Sequence, residues 1–148
     1  MLPERKGLPH GIPYWVDSGS EYFITICAKP RGVNQLCQES RFECLRDSLQ
    51  FRQDRGDLWV HLCLLMPDHL HAIMSFNRDV GMQKSITDWK RYTCTQSGIQ
   101  WQRDFFDHRL RADESYIEKA HYIRMNPVRA GLCEQPEDWL YVWENRSW

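Results

Sequence analysis

The period of apolar and polar positions changes several times along this chain, and each change marks an element. Tyr22 to Lys29 (Tyr-Phe-Ile-Thr-Ile-Cys-Ala-Lys) is β-branched and aromatic and predicts a first strand, closed by Pro30-Arg31-Gly32. From Leu36 to about Arg55 the spacing of Leu36, Phe42, Leu45, Leu49 and Arg52 is helical, and Gly56 stands where a helix ends in a left-handed residue. Leu58 to Met66 predicts a second strand, and Pro67-Asp68 turns the chain into a third. There Leu70, Ala72, Met74 and Phe76 form a core face, while His69, His71 and Ser75 interrupt the opposite face with polarity. Gly81 to Gln96 predicts a second helix with Ile86, Trp89 and Thr93 inward and Lys84, Lys90 and Arg91 outward. Trp101 to Leu110 predicts a further strand, and Asp113 is an N-cap for a third helix reaching about Met125. Strand, helix, hairpin, helix, strand, helix implies an α+β fold: a mostly antiparallel sheet with helices packed on it, close to a ferredoxin-like plan.

A chain of 148 residues fits one domain, 1–148, with a Pro- and Gly-rich irregular arm over residues 1–20. No apolar run approaches the roughly 18 residues of a membrane span, so the expectation is a soluble, cytoplasmic protein without a membrane partner. Six cysteines (Cys27, Cys37, Cys44, Cys63, Cys94 and Cys133) show no Cys-x-x-Cys spacing and read as reduced, mostly buried fillers. The net charge of −1 argues against a nucleic-acid partner, but its distribution argues the other way. Residues 78–130 hold ten Lys/Arg against seven Asp/Glu, whereas residues 131–148 hold one against four. A locally basic surface binds phosphates on a neutral molecule, although an excess of three is also that of an ordinary solvated face. No Gly-rich phosphate loop or Walker pattern is present, in agreement with chemistry that needs no nucleotide cofactor.

The candidate chemistry starts at Met66-Pro67-Asp68-His69-Leu70-His71. A strand places His69 and His71 on one face, where two imidazoles can hold a divalent metal if a third ligand comes from elsewhere. The same spacing also describes a half-exposed strand with two solvated histidines. His61 would share their face only in one register of the hairpin, which would suit a metal hydrolase using all three. On the third helix Tyr116, Ile117, Ala120 and Ile123 form an apolar stripe. Tyr122 falls roughly opposite its centre, with Asn126 within about 40° of Tyr122. Tyr122 either faces a cleft or packs under a loop.

Met66-Pro67-Asp68-His69-Leu70-His71 taken with Tyr122-Ile123-Arg124-Met125-Asn126-Pro127-Val128-Arg129-Ala130-Gly131-Leu132 resembles the REP-associated tyrosine transposases, relatives of the single-tyrosine HUH transposases of small insertion sequences. Tyr22-Phe23-Ile24-Thr25, the segment Trp101 to His108 and Pro136-Glu137-Asp138-Trp139 extend the resemblance over nearly the whole chain. It implies that His69 and His71 are metal ligands, Asn126 the third ligand and Tyr122 the nucleophile. Asp68 departs from the usual Asn of the family, a change expected to affect the turn rather than the metal.

The implied activity is that of a metal-dependent single-stranded DNA endonuclease and strand transferase, using Mg²⁺ or Mn²⁺. It would form a 5′-phosphotyrosine at hairpin-associated sites. Lys119, one turn before Tyr122, is the candidate to ease ionisation of its hydroxyl. Arg5, Lys6, His10, Lys90, Arg91, Arg103, Arg109, Arg124 and Arg129 are the candidates for contacting DNA. The partner is single-stranded DNA with a hairpin, and the protein would act as a monomer or homodimer. The competing expectation is a hairpin-binding regulator of the same fold that does not cleave.

Overall fold

Every position of the segment Leu58–Leu65 is buried, which an antiparallel strand achieves only when both faces of its sheet are covered. The computed structural model, which describes residues 13, 15–16, 19–111 and 116–145, shows how. Strands β1 (Tyr22–Cys27), β2 (Leu58–Leu65), β3 (His69–Phe76), β4 (Phe106–Arg109) and β5 (Val142–Glu144) form one antiparallel sheet in the order β4-β1-β3-β2-β5. Helices α1 (Glu39–Arg55) and α2 (Met82–Ser97) cover one face, and α3 (Tyr116–Arg124) covers the other. The first four strands with α1 and α2 follow the ferredoxin-like plan, to which α3 and β5 are added. Among the described residues no helix is long and apolar enough to cross a membrane. Arg5, Lys6, His10 and the cap expected at Asp113 lie outside the described residues.

The larger core joins Ile24 and Ile26 of β1, Leu70, Ala72 and Met74 of β3, Leu45 and Leu49 of α1, and Ile86 and Trp89 of α2. Its indoles are satisfied: Trp89 Nε1 donates to Ser48 Oγ at 2.8 Å and Trp101 Nε1 to Thr93 Oγ1 at 2.9 Å. Gly56, at φ +92°, closes α1 in the left-handed conformation expected from its position, its N–H bonding Gln53 O at 3.0 Å.

Two expectations need correcting, and one strand is additional. The strand foreseen from Trp101 to Leu110 is paired only over Phe106–Arg109, because Trp101 makes a single bridge to Ala28 and turns its ring into the core against Trp89. The tail strand β5 was not foreseen. It is three residues long and is fastened just beyond its end, where Asn145 Nδ2 donates to Gln53 Oε1 at 2.8 Å and to Val60 O at 2.9 Å. Only Cys63 among the six free cysteines is fully buried, the others being half-buried. Burial pushes the Cys37 and Cys63 thiols up to about 12, so neither forms a thiolate at neutral pH.

The second core joins α3 to the sheet through Tyr116, Ala120 and Ile123, packed with Phe23, Leu62, Leu64, Met66 and Ile73. Ile123 is 0% exposed and is the deepest anchor of this nine-residue helix. Ile123→Ala should therefore cost about 3 kcal/mol in urea unfolding, the usual range for a fully buried branched aliphatic residue. A loss below about 1 kcal/mol would mean that the helix is held by its ends instead.

Candidate active site

Antiparallel pairing decides what surrounds the histidines. In the β1–β3 ladder Cys27 faces His69, Thr25 faces His71 and Phe23 faces Ile73, so Phe23 and Thr25 share the α3-side face with both imidazoles. The histidine face is therefore not open to water along its length: Ile73 lies in the second core, and α3 covers it.

Each imidazole has a fixed partner on Nδ1. His69 Nδ1–H donates to Asp68 Oδ1 at 2.8 Å, which leaves the lone pair on Nε2. His71 Nδ1 lies 2.9 Å from Thr25 Oγ1, and the tautomer in which the hydroxyl accepts leaves His71 Nε2 equally free. The rings are 4.9 Å apart between centroids and nearly perpendicular, at 81°. Imidazoles oriented from Nδ1 by hydroxyl and carboxylate partners suit metal ligation through Nε2.

Asp68 does more than shape the turn, contrary to the expectation for it. Its Oδ2 accepts from Arg31 Nε and from Gly32 N, each at 2.8 Å, while Oδ1 holds His69. Burial alone would raise this carboxyl. The hydrogen bonds from Arg31, Gly32 and His69, with the charge of Arg31, outweigh burial and hold it well below the usual carboxylate range.

His71 stacks on Phe23, with centroids 5.5 Å apart and planes 15° apart. Burial, followed by the charges of His69 and Arg129, lowers its pKa to about 4. The imidazole is thus neutral at pH 7, as a metal ligand must be. The unfolded chain binds this proton near pH 6.5 and the folded chain only near 4. Stability should therefore be full above pH 6.5 and fall as pH drops towards 4, by about 3 kcal/mol for this group. Urea unfolding with a chelator present checks this, and His71→Gln should flatten that interval. An unchanged slope in the variant would assign the acid sensitivity to other groups.

Phe23 also meets Tyr122, edge to face, with centroids 6.5 Å apart at 77°. Tyr122 is 50% exposed. Lys119 Nζ lies 5.0 Å from the Phe23 centroid and 5.5 Å from that of Tyr122, so its contact is with the ring faces. Arg129 Cζ sits 4.5 Å over the Tyr122 ring, and its Nη2 donates to Tyr122 O at 2.7 Å and to Asn126 Oδ1 at 3.2 Å. Asn126 opens the one-turn helix α4 (Asn126–Arg129), which Pro127 separates from α3 because it has no N–H to continue the ladder. Asn126 Nδ2 is buried with no hydrogen-bond partner among the described residues.

The stripe on α3 is narrower than its residue types suggest. Ile117, expected inward, is 65% exposed, and only Tyr116, Ala120 and Ile123 face the sheet. On the far flank of α3, Tyr116, Ile117, Ala120, His121, Arg124 and Glu144 line a cavity of about 270 Å³. Glu144 there accepts from the Tyr116 hydroxyl at 2.9 Å and pairs with Arg124, which turns Arg124 away from Tyr122.

His61 is the extra residue of a β-bulge in β2, between Val60, opposite Met74, and Leu62, opposite Ile73. The bulge brings its ring to the α3 side, where Nε2 bonds Ser75 Oγ at 2.9 Å and the ring meets Tyr116. Ser75 is four residues along β3 from His71, roughly 13 Å. No three His, Cys, Asp or Glu among the described residues converge on a metal position. The metal-hydrolase alternative using His61 is thereby overturned by position along the strand rather than by face.

Among the described residues, the cations expected to contact DNA do not form one surface. Lys90 and Arg91 lie on α2, across the sheet from α3; Lys90 Nζ donates to Arg103 O at 2.9 Å, and Arg91 pairs with Asp88. Arg109 faces Tyr22, on the α1–α2 side of β4. Of the six that are described, Arg129 is the one in contact with Tyr122. Phe23 and Thr25 were missed from sequence, although the alternation of β1 carries the signal once its partner strand is known.

No protein-family model matches the chain. It is 31% identical over 146 residues to a Haemophilus influenzae protein named as a candidate REP-associated tyrosine transposase, covering 83% of this chain and 78% of that protein. It is 25% identical over 135 residues to the REP-associated tyrosine transposase of Escherichia coli K12, covering 86% of this chain and 78% of the relative. A solved REP-associated tyrosine transposase bound to a REP hairpin shares the fold, with a TM-score of 0.72 at 23% identity over 96% of this chain and 82% of that one.

Proposed function

The chain belongs to the REP-associated tyrosine transposases, and from that premise we propose that it cleaves and rejoins single-stranded DNA beside a hairpin, with Tyr122 as nucleophile. One observation carries the reading: a single ring, Phe23, touches both Tyr122 and His71, joining the tyrosine to the histidine pair in one cluster. In the reaction the Tyr122 oxygen forms a bond to phosphorus and the bond from phosphorus to the 3′ oxygen breaks. The phenolic proton is lost and the departing oxygen takes one up, leaving a 5′-phosphotyrosine and a free 3′-hydroxyl. One phosphodiester replaces another, so the reverse reaction joins strands without a nucleotide cofactor.

His69 and His71 through Nε2, with Asn126 through Oδ1, would hold Mg²⁺ or Mn²⁺. The two imidazoles, free at Nε2, fit such an ion, and Asn126 Oδ1, which accepts from Arg129 Nη2 at 3.2 Å, would exchange that hydrogen bond for the metal. Such an ion supplies Lewis-acid polarisation of a phosphate oxygen. Arg129 would supply a guanidinium to the phosphate beside Tyr122, and Lys119 a second positive charge. Asp68 and Thr25 would orient the two imidazoles.

The direct test incubates the full chain with a 5′-labelled or 3′-labelled DNA hairpin carrying single-stranded flanks, with Mg²⁺ or Mn²⁺. The expected product is a protein–DNA adduct that survives denaturation and retains the label on the side of the 5′-phosphate. Tight binding without adduct under either metal would favour the hairpin-binding regulator.

A further inference from the structure

Strand β4 is an outer strand of the sheet, with β1 on one side only. Its pairing determines which side chains look towards the candidate site. Phe106 faces Thr25 and His108 faces Phe23, so both lie on the α3 side, whereas Asp107 and Arg109 lie on the other. Phe106 is 56% exposed, and its ring meets Phe23 edge to face at 6.1 Å.

A lone exposed apolar side chain is ordinary. Phe106 differs from the other exposed aromatic rings in its covering and its place. Phe51 and Tyr92 are each roofed by an arginine, Arg55 and Arg52, and Tyr122 by Arg129. No cation lies over Phe106 among the described residues, and it is one ring removed from both Tyr122 and His71. The cations of Lys119 and Arg129 border the same cluster and complement a phosphate backbone.

We propose that Phe106 is a stacking platform for one unpaired nucleobase of the DNA strand whose phosphate is presented to Tyr122. The proposal rests on the function read above and adds a subsite to it. Every base has a π-face, so such a platform is tolerant of sequence. Its role is to fix where the unpaired strand runs relative to the nucleophile.

The test is fluorescence anisotropy of the full chain, with EDTA present to prevent turnover, on two labelled hairpins that differ only in carrying a single-stranded flank. Phe106→Ala should weaken binding of the flanked hairpin by about 5- to 150-fold, the range for losing one stacked base, and leave the blunt hairpin within about twofold. Phe106→Trp should keep the affinity, and Phe106→Leu, apolar without a ring, should behave like Ala. An abasic nucleotide scanned through the flank should find one position where wild type weakens and Phe106→Ala weakens no further. An unchanged affinity in Phe106→Ala, or equal losses on both hairpins, would overturn the platform while leaving the proposed function standing. A wild-type protein with no preference for the flanked hairpin would overturn both.

Discussion

Tyr122→Phe should abolish the covalent protein–DNA adduct outright while hairpin affinity stays within about twofold of wild type. The substitution removes one oxygen. The ring that packs edge to face on Phe23 and carries Arg129 on its face is kept, so the cluster has no reason to rearrange. Because the ring is half exposed, the variant should unfold at the same urea midpoint as wild type. A protonated tyrosine hydroxyl is a poor nucleophile, and neighbouring positive charge favours the oxyanion that attacks. Lys119 and Arg129 both contact the ring face, and neutralising either should slow adduct formation without abolishing it. That graded pattern separates a nucleophile from its helpers. An adduct that persists in Tyr122→Phe would mean that another hydroxyl attacks. An adduct lost equally in Lys119→Met would mean that the lysine holds the strand as well as tuning the tyrosine.

How much of this was legible in the sequence varied with the kind of pattern involved. Period-2 alternation set His69 and His71 on one face, and 3.6-residue spacing set Tyr122 away from the buried stripe of α3, because both depend on local geometry alone. The element order also sufficed for the ferredoxin-like sheet. What failed depended on partners distant in the chain. Nothing in Leu58-Trp59-Val60-His61-Leu62-Cys63 marks the bulge at His61: every side chain there is buried on one face or the other, so parity can change without leaving an exposed apolar residue behind. Ile117 is apolar by type, yet a nine-residue helix meets a sheet along a narrow line that Tyr116, Ala120 and Ile123 already fill. The basic excess over residues 78–130 was real as a count but not as a surface, because α2 and α3 lie on opposite faces of the sheet. Asp68 was read as a turn residue because a loop sequence does not reveal that Arg31 and Gly32 converge on the same carboxylate.

That carboxylate allows the metal reading to be tested in graded steps. His69→Ala should reduce Mn²⁺ affinity by at least about 100-fold and adduct formation by at least about 1000-fold, with hairpin binding retained. His69 is the better of the two proposed ligands to remove, because His71 is packed face to face on Phe23 and its loss would open a gap in the aromatic cluster. Asp68→Ala should fall between wild type and His69→Ala, with Mn²⁺ affinity lower by about 10- to 100-fold, since it frees the His69 ring to turn but deletes no ligand. Asp68→Asn has one acceptor oxygen: given to Nδ1–H it keeps His69 oriented but turns the amide NH2 onto the Arg31 Nε–H and Gly32 N–H donors, so it should recover only part of that loss. Electron paramagnetic resonance of free Mn²⁺ gives all three affinities without reference to catalysis, and anisotropy on the hairpin shows whether the fold survives. Mn²⁺ affinity unchanged in His69→Ala would remove the histidine pair from the metal reading. Equal affinities for Asp68→Ala and wild type would leave the pair as ligands but show that packing against β1 and α3 is enough to orient His69.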